Sequence, residues 1–194
     1  MHRSTLDPET LASQLSSASS LPPVELWNPP LSGDMDLRIA RDGVWSHEGR
    51  PIQRGALVRL FASILRYDPD GHYYLVTPVE KWRIQVDDAP FLAVRLDAEG
   101  TGRKQRLLFT TNLDDRVSAG SAHPLLVEYR SPSGEPSPYI HIRGGLRALL
   151  SRAVFLELIE LGEERPAANG GRDYGKFDLE GSEEKTIQTE SRTT

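Results

Sequence analysis

Two histidines occupy matching places in the sequence and are the first candidates for catalysis or metal binding. His47 ends the stretch Trp45-Ser46-His47, and His141 ends Tyr139-Ile140-His141. Two imidazoles could share a metal ion or a proton. Neither histidine has an acidic residue at a metal-ligand spacing such as HExxH, and no serine lies in a GxSxG motif. We therefore expect a protein that is not an enzyme, with no cofactor and no metal; a hydrolase or transferase is the least favoured class.

A cationic strand after Pro78 offers chemistry for binding. Side chains alternate between the two faces of a strand. This alternation predicts an inward set and an outward set, which are Trp82, Ile84 and Val86, and Lys81, Arg83 and Gln85. The outward set is equally consistent with ordinary protection of an edge strand and with a surface that clamps a small anion. The adjacent carboxylates that follow, Asp87 and Asp88, are interpreted as caps of backbone N–H groups rather than as an acid–base pair.

Two Arg-Gly pairs precede predicted helices. A helix N-terminus carries partial positive charge and unpaired N–H groups, so a further cation there is unfavourable by about 0.3–1 kcal/mol unless an anion answers it. Arg54-Gly55 and Arg143-Gly144 are such places. The anion could be an aspartate or glutamate of the same chain, or the phosphate or carboxylate of a ligand that uses the bidentate guanidinium. Both alternatives stay open.

The elements that position these residues follow from hydrophobic periodicity. Strands are predicted at Leu37–Arg41 and Val44–Glu48 around the hairpin dipeptide Asp42-Gly43, and an amphipathic helix is predicted at Gln53–Arg66. Further strands are predicted at His72–Thr77, Trp82–Val86, Phe91–Asp97, Gln105–Thr110, Arg116–Ser118, Leu125–Arg130 and Tyr139–Arg143, before a final helix at Gly145–Glu160. The predicted fold class is α+β, in which an antiparallel pleckstrin-homology-like barrel is closed by the final helix. The two strand, Arg-Gly, helix units form a repeated motif.

Composition limits the location and the partners. The chain has 194 residues, no cysteine and a formal net charge of -5. No segment approaches the roughly 20 apolar residues of a membrane span, and the first residues lack a secretory signal. The negative charge disfavours a broad nucleic-acid footprint. We expect a cytoplasmic protein without membrane or bulk nucleic-acid binding.

Four phrases occur in an order that resembles a bacterial family of domains of unknown function, number 1285. The phrases are LPPVELWNPP from Leu21, LRIARDGVW from Leu37, GRPIQRGALVRLF from Gly49 and YYLVTPVEKWRIQVDDAPF from Tyr73. The similarity extends roughly from Leu21 to Gly162. The resemblance implies two units with duplicated motifs, a pleckstrin-homology-like C-terminal part and a ligand site where the units meet. The expected division is a flexible leader (1–23), a β-β-α unit (24–71), the barrel with its helix (72–162) and a disordered tail (163–194).

The function expected from these features is binding. A nucleotide-like or other anionic small molecule would be recognised at the interface of the two units, in signal transduction. Its contacts would come from Arg50, Arg54, Thr77, Lys81, Trp82, Asp88, Asn112 and Arg143. The alternative is a protein-interaction adaptor whose partner is an extended peptide on the edge of the pleckstrin-homology-like barrel.

Overall fold

The computed structural model describes residues 21–100, 105–130 and 132–162, and the backbone of residues 165–166 and 172–173. The chain divides into two compact units between Asp88 and Ala89. The described residues form two six-stranded mixed sheets, two α-helices, one 3-10 helix and one further two-stranded pair. The protein is therefore an α+β protein that consists mostly of β-strands.

The described part of the first unit contains one mixed sheet and one α-helix. A 3-10 helix, Val24–Leu26, precedes β1 (Leu31–Ile39), β2 (Trp45–His47), β3 (Arg50–Pro51), α1 (Gly55–Ser63), β4 (Leu65–Tyr67), β5 (Tyr73–Val76) and β6 (Lys81–Val86). The strand order is β3-β2-β1-β6-β5-β4. β1 and β6 run parallel, and the other neighbours run antiparallel.

The predicted hairpin between the first two strands is confirmed. Ala40 N–H donates to the Val44 carbonyl at 2.9 Å, and Gly43 N–H donates to the Ala40 carbonyl at 2.9 Å. Gly43 has a φ of 83°, which a residue with a side chain adopts with difficulty. The Asp42 carboxylate accepts from Val44 N–H at 3.1 Å. The Asp-Gly dipeptide thus supplies both the backbone conformation and the local hydrogen bond that the turn requires.

The predicted helix at Gln53–Arg66 is too long at both ends. α1 ends at Ser63, and Leu65–Tyr67 forms β4, which pairs with β5. An uninterrupted apolar stretch cannot by itself distinguish the end of a helix from the start of a buried strand. The sequence also predicts the boundary between the units after Gly71. The structure places it after Asp88, because β5 and β6 complete the first sheet.

The second unit contains another mixed sheet. Up to residue 162, its described elements are β7 (Phe91–Glu99), β8 (Arg106–Thr111), β9 (Arg116–Ser118), β10 (Leu125–Arg130), β11 (Glu135–Arg143), β12 (Leu146–Leu150) and α2 (Arg152–Leu161). The strand order is β10-β11-β12-β7-β8-β9. The expected antiparallel arrangement needs correction, since β12 and β7 run parallel. α2 contacts β7 and β12 and buries Val154 and Leu158.

The predicted final helix at Gly145–Glu160 is wrong in its first half. Leu146–Leu150 is β12, a central strand whose side chains are almost all buried, so its sequence lacks the alternation of a half-exposed strand. Gly144 and Gly145 have φ values of 48° and 77° and form the turn between β11 and β12. The repeated strand-to-helix motif therefore fails in its second copy, where Arg143 ends a strand and does not precede a helix.

Two expectations fall on residues that the structure does not describe or describes only in part. The predicted leader lies outside the described residues except for Leu21–Pro23. The tail lies outside them except for two backbone segments, Arg165–Pro166 and Arg172–Asp173, which pair antiparallel.

Among the described helices, none combines the length and the apolar character that a membrane crossing demands.

Candidate functional site

A charged groove on the first unit is the candidate functional site. Its volume is about 890 Å³, within the range of about 300–1,000 Å³ that is typical of small-molecule sites. It is lined by residues of β1 and β6, by the turn before β5 with the first residue of that strand, and by Asp87, which follows β6. The polar and charged lining residues are Asp34, Asp36, Arg38, His72, Tyr73, Arg83, Gln85 and Asp87. We call this feature the β1–β6 groove.

The groove lies where the parallel pairing of β1 and β6 is irregular. Asp34 pairs with Arg83, and the next pair in register is Arg38 with Gln85. Four residues of β1 therefore span the same interval as two residues of β6. A strand with extra residues bends locally and re-aims its side chains. The irregularity thus brings charged side chains of both strands into one concave surface.

Arg83 and Asp34 form an ion pair on this surface. Arg83 Nε donates to Asp34 Oδ1 at 2.5 Å. This hydrogen bond lowers the pKa of Asp34 and raises that of Arg83. The structure shows no hydrogen bond from the Nη nitrogens of Arg83 to another described residue. Donors of the guanidinium therefore remain for a ligand.

Arg38 and Asp87 form a second, bidentate ion pair. Arg38 Nε donates to Asp87 Oδ1 at 2.8 Å, and Arg38 Nη2 donates to Asp87 Oδ2 at 2.7 Å. The hydrogen bonds lower the pKa of Asp87 and raise that of Arg38. The Arg38 side chain remains 57% exposed. Water therefore screens the pair, and an anion can reach the guanidinium from solvent.

The charge balance of the groove restricts what can bind there. Asp34, Asp36 and Asp87 contribute three carboxylates against the two guanidiniums of Arg38 and Arg83. Asp36 is exposed and forms no ion pair with another described residue. A polyanion would be repelled by the excess carboxylate. A ligand with one anionic group and one cationic or hydrogen-donating group would find partners for both.

Tyr74, behind the groove on β5, holds the turn that carries His72. Tyr74 Oη donates to Asp70 Oδ2 at 2.6 Å, and this bond raises the pKa of Tyr74 to about 12. The same bond lowers the pKa of Asp70. Asp70 Oδ1 accepts from His72 N–H at 3.0 Å. The Asp70 carboxylate therefore links the backbone of His72 to the buried Tyr74 side chain.

Lys81, a predicted ligand contact, is engaged within the unit. Its Nζ donates to Asp68 Oδ2 at 2.5 Å and lies 3.9 Å from the centre of the Tyr74 ring. Asp68 also accepts from Arg66, whose Nε lies 2.6 Å from Oδ1. Burial raises the pKa of Asp68, but the hydrogen bonds from Arg66 and Lys81 outweigh this effect, so that the net pKa is lowered. Lys81 therefore neutralises an internal carboxylate.

Three other predicted contacts of the first unit also have partners within it. Thr77 Oγ1 accepts from Glu80 N–H at 3.0 Å and is buried in the turn before β6. Trp82 Nε1 donates to Glu80 Oε2 at 3.2 Å. Asp88 forms an ion pair with Arg41, at 3.1 Å from Nε to Oδ2. Asp87 and Asp88 both form ion pairs with arginines, Asp87 with Arg38 and Asp88 with Arg41.

Arg50 and Arg54 are not among the residues that line the groove. Arg50 begins β3, and Arg54 immediately precedes α1; both side chains are exposed. The prediction that Arg54-Gly55 starts a helix is confirmed. The first turn of α1 contains no acidic residue and Arg54 forms no side-chain cap.

The predicted contacts of the second unit are Asn112 and Arg143. Asn112 Oδ1 accepts from Leu92 N–H at 3.0 Å, and Asn112 N–H donates to the Leu92 carbonyl at 2.8 Å. Arg143 Nη1 donates to Asp115 Oδ1 at 3.1 Å, and its guanidinium lies 5.1 Å from the centre of the Phe91 ring. An aspartate of the chain therefore supplies the anion for Arg143.

The two histidines considered from the sequence lie in different units, His47 in the first and His141 in the second. Within the second unit, His141 lies near His123, with 6.1 Å between ring centres. The described residues include no group of three or more histidine, aspartate or glutamate side chains that could hold a metal ion.

Sequence reasoning recognised Arg83 and Gln85 as one face but missed their partners on β1. One signal was present: Asp34, Asp36 and Arg38 alternate along a strand, as side chains on one face do. The pairing itself could not be read from spacing, because β1 and β6 are separated by four intervening strands and a helix in the chain.

Family comparisons divide the chain at nearly the same place as the structure. The description "Domain of unknown function (DUF1285), N-terminal domain" matches residues 22–89. The description "Protein of unknown function (DUF1285), C-terminal domain" matches residues 90–175. The comparison with curated proteins gives no match.

Two solved structures are similar to this chain. A DUF1285 family protein from Silicibacter pomeroyi DSS-3 is 48% identical, with a TM-score of 0.73 over 80% of this chain and 87% of that one. A DUF1285 family protein from Shewanella baltica OS155 is 27% identical, with a TM-score of 0.52 over 66% of this chain and 94% of that one. The chain belongs to the DUF1285 family.

Proposed function

We propose that this protein binds a small polar molecule in the β1–β6 groove and that the ligand carries one carboxylate or phosphate group. The observation that supports the proposal is the presence of two exposed arginines, Arg38 and Arg83, in one groove of metabolite size. Arginine is suited to carboxylate and phosphate groups because its planar guanidinium can donate two parallel hydrogen bonds.

Both arginines are oriented before a ligand arrives. Asp34 holds Arg83 through Nε alone, and Asp87 holds Arg38 through two nitrogens. A side chain that is already held loses less conformational entropy when a ligand binds. The exposure of both guanidiniums lets a ligand bind their outer donors without breaking either ion pair.

The groove contains more carboxylates than guanidiniums, and this excess restricts the anionic ligands expected from the sequence to a smaller class. Asp36 favours a ligand that also has an ammonium group or another hydrogen-bond donor, as in an amino acid. A nucleoside triphosphate would bring several negative charges toward three aspartates. We therefore propose a zwitterionic or singly charged anionic ligand in place of a polyphosphate.

A role in signal transduction remains part of the proposal and rests on the family resemblance. Binding without turnover is what a sensor needs. The pleckstrin-homology-like arrangement proposed for the second unit is supported by the succession of β7 to β12 followed by α2. Neither statement is required for ligand binding in the groove, which involves residues of the first unit alone.

A thermal-shift titration with matched arginine variants tests the proposal. The full-length protein would be screened against amino acids, phosphorylated amino acids, small carboxylates and nucleotides at one fixed salt concentration. Arg38→Gln and Arg83→Gln remove the proposed contacts. Arg95→Gln is the control, because Arg95 forms an exposed ion pair with Asp97 in the second unit, at 2.7 Å from Nη2 to Oδ1.

We expect a concentration-dependent rise in melting temperature for wild type and Arg95→Gln with at least one zwitterionic or singly charged compound. The rise should disappear in Arg38→Gln and Arg83→Gln. If no compound of these classes stabilises the wild type, or if the groove variants keep the full response, the proposal is wrong.

A further inference from the structure

The two large sheets end in strands of very different length. Among the residues that the structure describes, three of the four edge strands of these sheets are short: β3 has two residues and includes Pro51, while β4 and β9 have three residues each. The fourth edge strand, β10, has six residues. Short edge strands and proline prevent unwanted pairing with other chains. β10 lacks both devices.

The hydrogen-bonding phase of β10 can be read from its pairing with β11. His141 N–H donates to the Pro124 carbonyl at 3.1 Å, so this pair is a hydrogen-bonded one. Hydrogen-bonded pairs alternate along an antiparallel ladder. In the observed register, Leu126, Glu128 and Arg130 therefore direct their N–H and C=O groups toward β11, and Leu125, Val127 and Tyr129 direct theirs outward.

The positions of two prolines in β11 are consistent with this alternation of hydrogen-bonded pairs. Pro138 and Pro136 pair with Val127 and Tyr129, at positions where β11 donates no hydrogen bond to β10. The outward N–H and C=O groups of Leu125, Val127 and Tyr129 have no backbone partner among the residues that the structure describes. β10 thus presents an alternating row of donors and acceptors.

The two faces of β10 differ in their side chains. On one face, Glu128 accepts from Arg147 Nη1 at 2.5 Å and Arg130 Nε donates to Ser137 Oγ at 3.0 Å. The other face carries Leu125, Val127 and Tyr129, of which Tyr129 is 48% exposed. Side chains of an added strand would meet apolar neighbours on the second face.

We infer that β10 accepts an extended peptide segment of a partner protein as a seventh strand of the second sheet. Main-chain hydrogen bonds to Leu125, Val127 and Tyr129 would supply affinity, and apolar side chains at alternate positions of the peptide would supply selectivity. A single six-residue strand offers far less surface than the roughly 1,200 Å² that a stable dimer buries. This area favours a short peptide over a second copy of the chain.

Hydrogen exchange with peptides selected from a displayed random library tests this inference. The full-length protein would be the bait, and selected peptides would be synthesised. We expect a selected peptide to slow amide exchange at Leu125, Val127 and Tyr129, while the amides of Leu126 and Glu128 are slow with or without it. Methylation of alternate peptide nitrogens should weaken binding by about tenfold or more, because each methyl group removes a main-chain donor.

Two variants at one position separate backbone from side-chain recognition. Val127→Pro removes an outward N–H, which an edge strand tolerates, and should weaken peptide binding by about tenfold or more. Val127→Ala keeps that N–H and should retain most of the affinity. Slow exchange at Leu126 and Glu128 would show that β10 still pairs with β11 in both variants.

Three results would overturn the inference. The first is that no selected peptide protects the outward amides. The second is that Val127→Pro binds the peptide as tightly as Val127→Ala. The third is concentration-dependent protection of the same amides without peptide, together with a dimer in sedimentation, which would identify a second copy of the chain as the occupant.

Discussion

Arg38 on β1 donates two hydrogen bonds to the carboxylate of Asp87, which directly follows β6. The pair joins the ends of two parallel strands that are distant in sequence. Both side chains are partly exposed, so the pair orients a guanidinium at the surface more than it stabilises the fold. This relationship is why the β1–β6 groove is interpreted as a binding site.

The first prediction follows from that exposure. Arg38→Gln and Asp87→Asn should each leave the melting temperature of the ligand-free protein nearly unchanged, since screened surface pairs contribute little. Differential scanning calorimetry of the single variants and of the double variant provides the measurement. A large and equal loss in both single variants would show that the pair is structural.

The second prediction concerns Asp68, which neutralises the buried Arg66. Asp68→Asn leaves that guanidinium without its carboxylate and should lower the free energy of unfolding by about 3 kcal/mol. Arg66 Nη1 also donates to the carbonyls of Val24 and Trp27, at 2.9 and 2.6 Å, so amide exchange in that segment should accelerate. Urea unfolding and hydrogen exchange check both effects.

The direction in which acid changes the stabilisation by the Asp68–Arg66 ion pair follows from the pKa of Asp68. The folded pKa of Asp68 is lowered, so its stabilisation is present above the unfolded pKa of about 4 and is lost as the pH falls through the lower folded value. The stability difference between wild type and Asp68→Asn should therefore shrink below about pH 4. A difference that stays constant down to pH 2 would contradict the ion-pair assignment.

The third prediction concerns the alkaline behaviour of Tyr74. Its folded pKa is raised to about 12 by the hydrogen bond to Asp70, so the stabilisation is complete below the unfolded pKa of about 10 and is lost as the pH rises toward 12. Tyr74→Phe lacks this bond. The stability advantage of wild type over Tyr74→Phe, measured by urea unfolding, should be constant from pH 7 to 9 and fall above pH 10.

The fourth prediction addresses the core of the first unit. Phe61 lies on the buried face of α1 and is 6% exposed. Phe61→Ala should lower the free energy of unfolding by about 3–5 kcal/mol. Arg59→Ala, on the exposed side of the same helix, is the matched control and should change stability by less than about 0.5 kcal/mol. Similar denaturant midpoints for the two variants would refute the assignment of the buried face.

Local signals in the sequence predicted local structure well. The Asp42-Gly43 turn is present, and Phe61 is buried on the predicted helix. The first half of the second predicted helix is a strand, β12, which is buried on both faces. A short run of apolar residues of this kind fits the periodicity of a helix as well as that of a buried strand. The signal for a hairpin in the sequence was the Gly144-Gly145 dipeptide before Leu146. Both glycines have positive φ in the structure.

The candidate site was harder to predict than the fold. Cations could be recognised from the sequence, but their counter-ions could not, because Lys81, Arg83 and Arg143 each pair with an aspartate that the fold brings from another element. Parallel pairing of β1 with β6 depends on long-range contacts that leave no spacing rule in the sequence.

Native mass spectrometry of the protein purified from its own host tests ligand binding in the β1–β6 groove most directly. The samples are wild type, Arg95→Gln and the double variant Arg38→Gln/Arg83→Gln, purified in parallel. The predicted result is a retained small-molecule mass on wild type and on Arg95→Gln, and its absence from the double variant. A wild type without any retained mass, or a double variant that retains the same mass at the same occupancy, would contradict the proposed site.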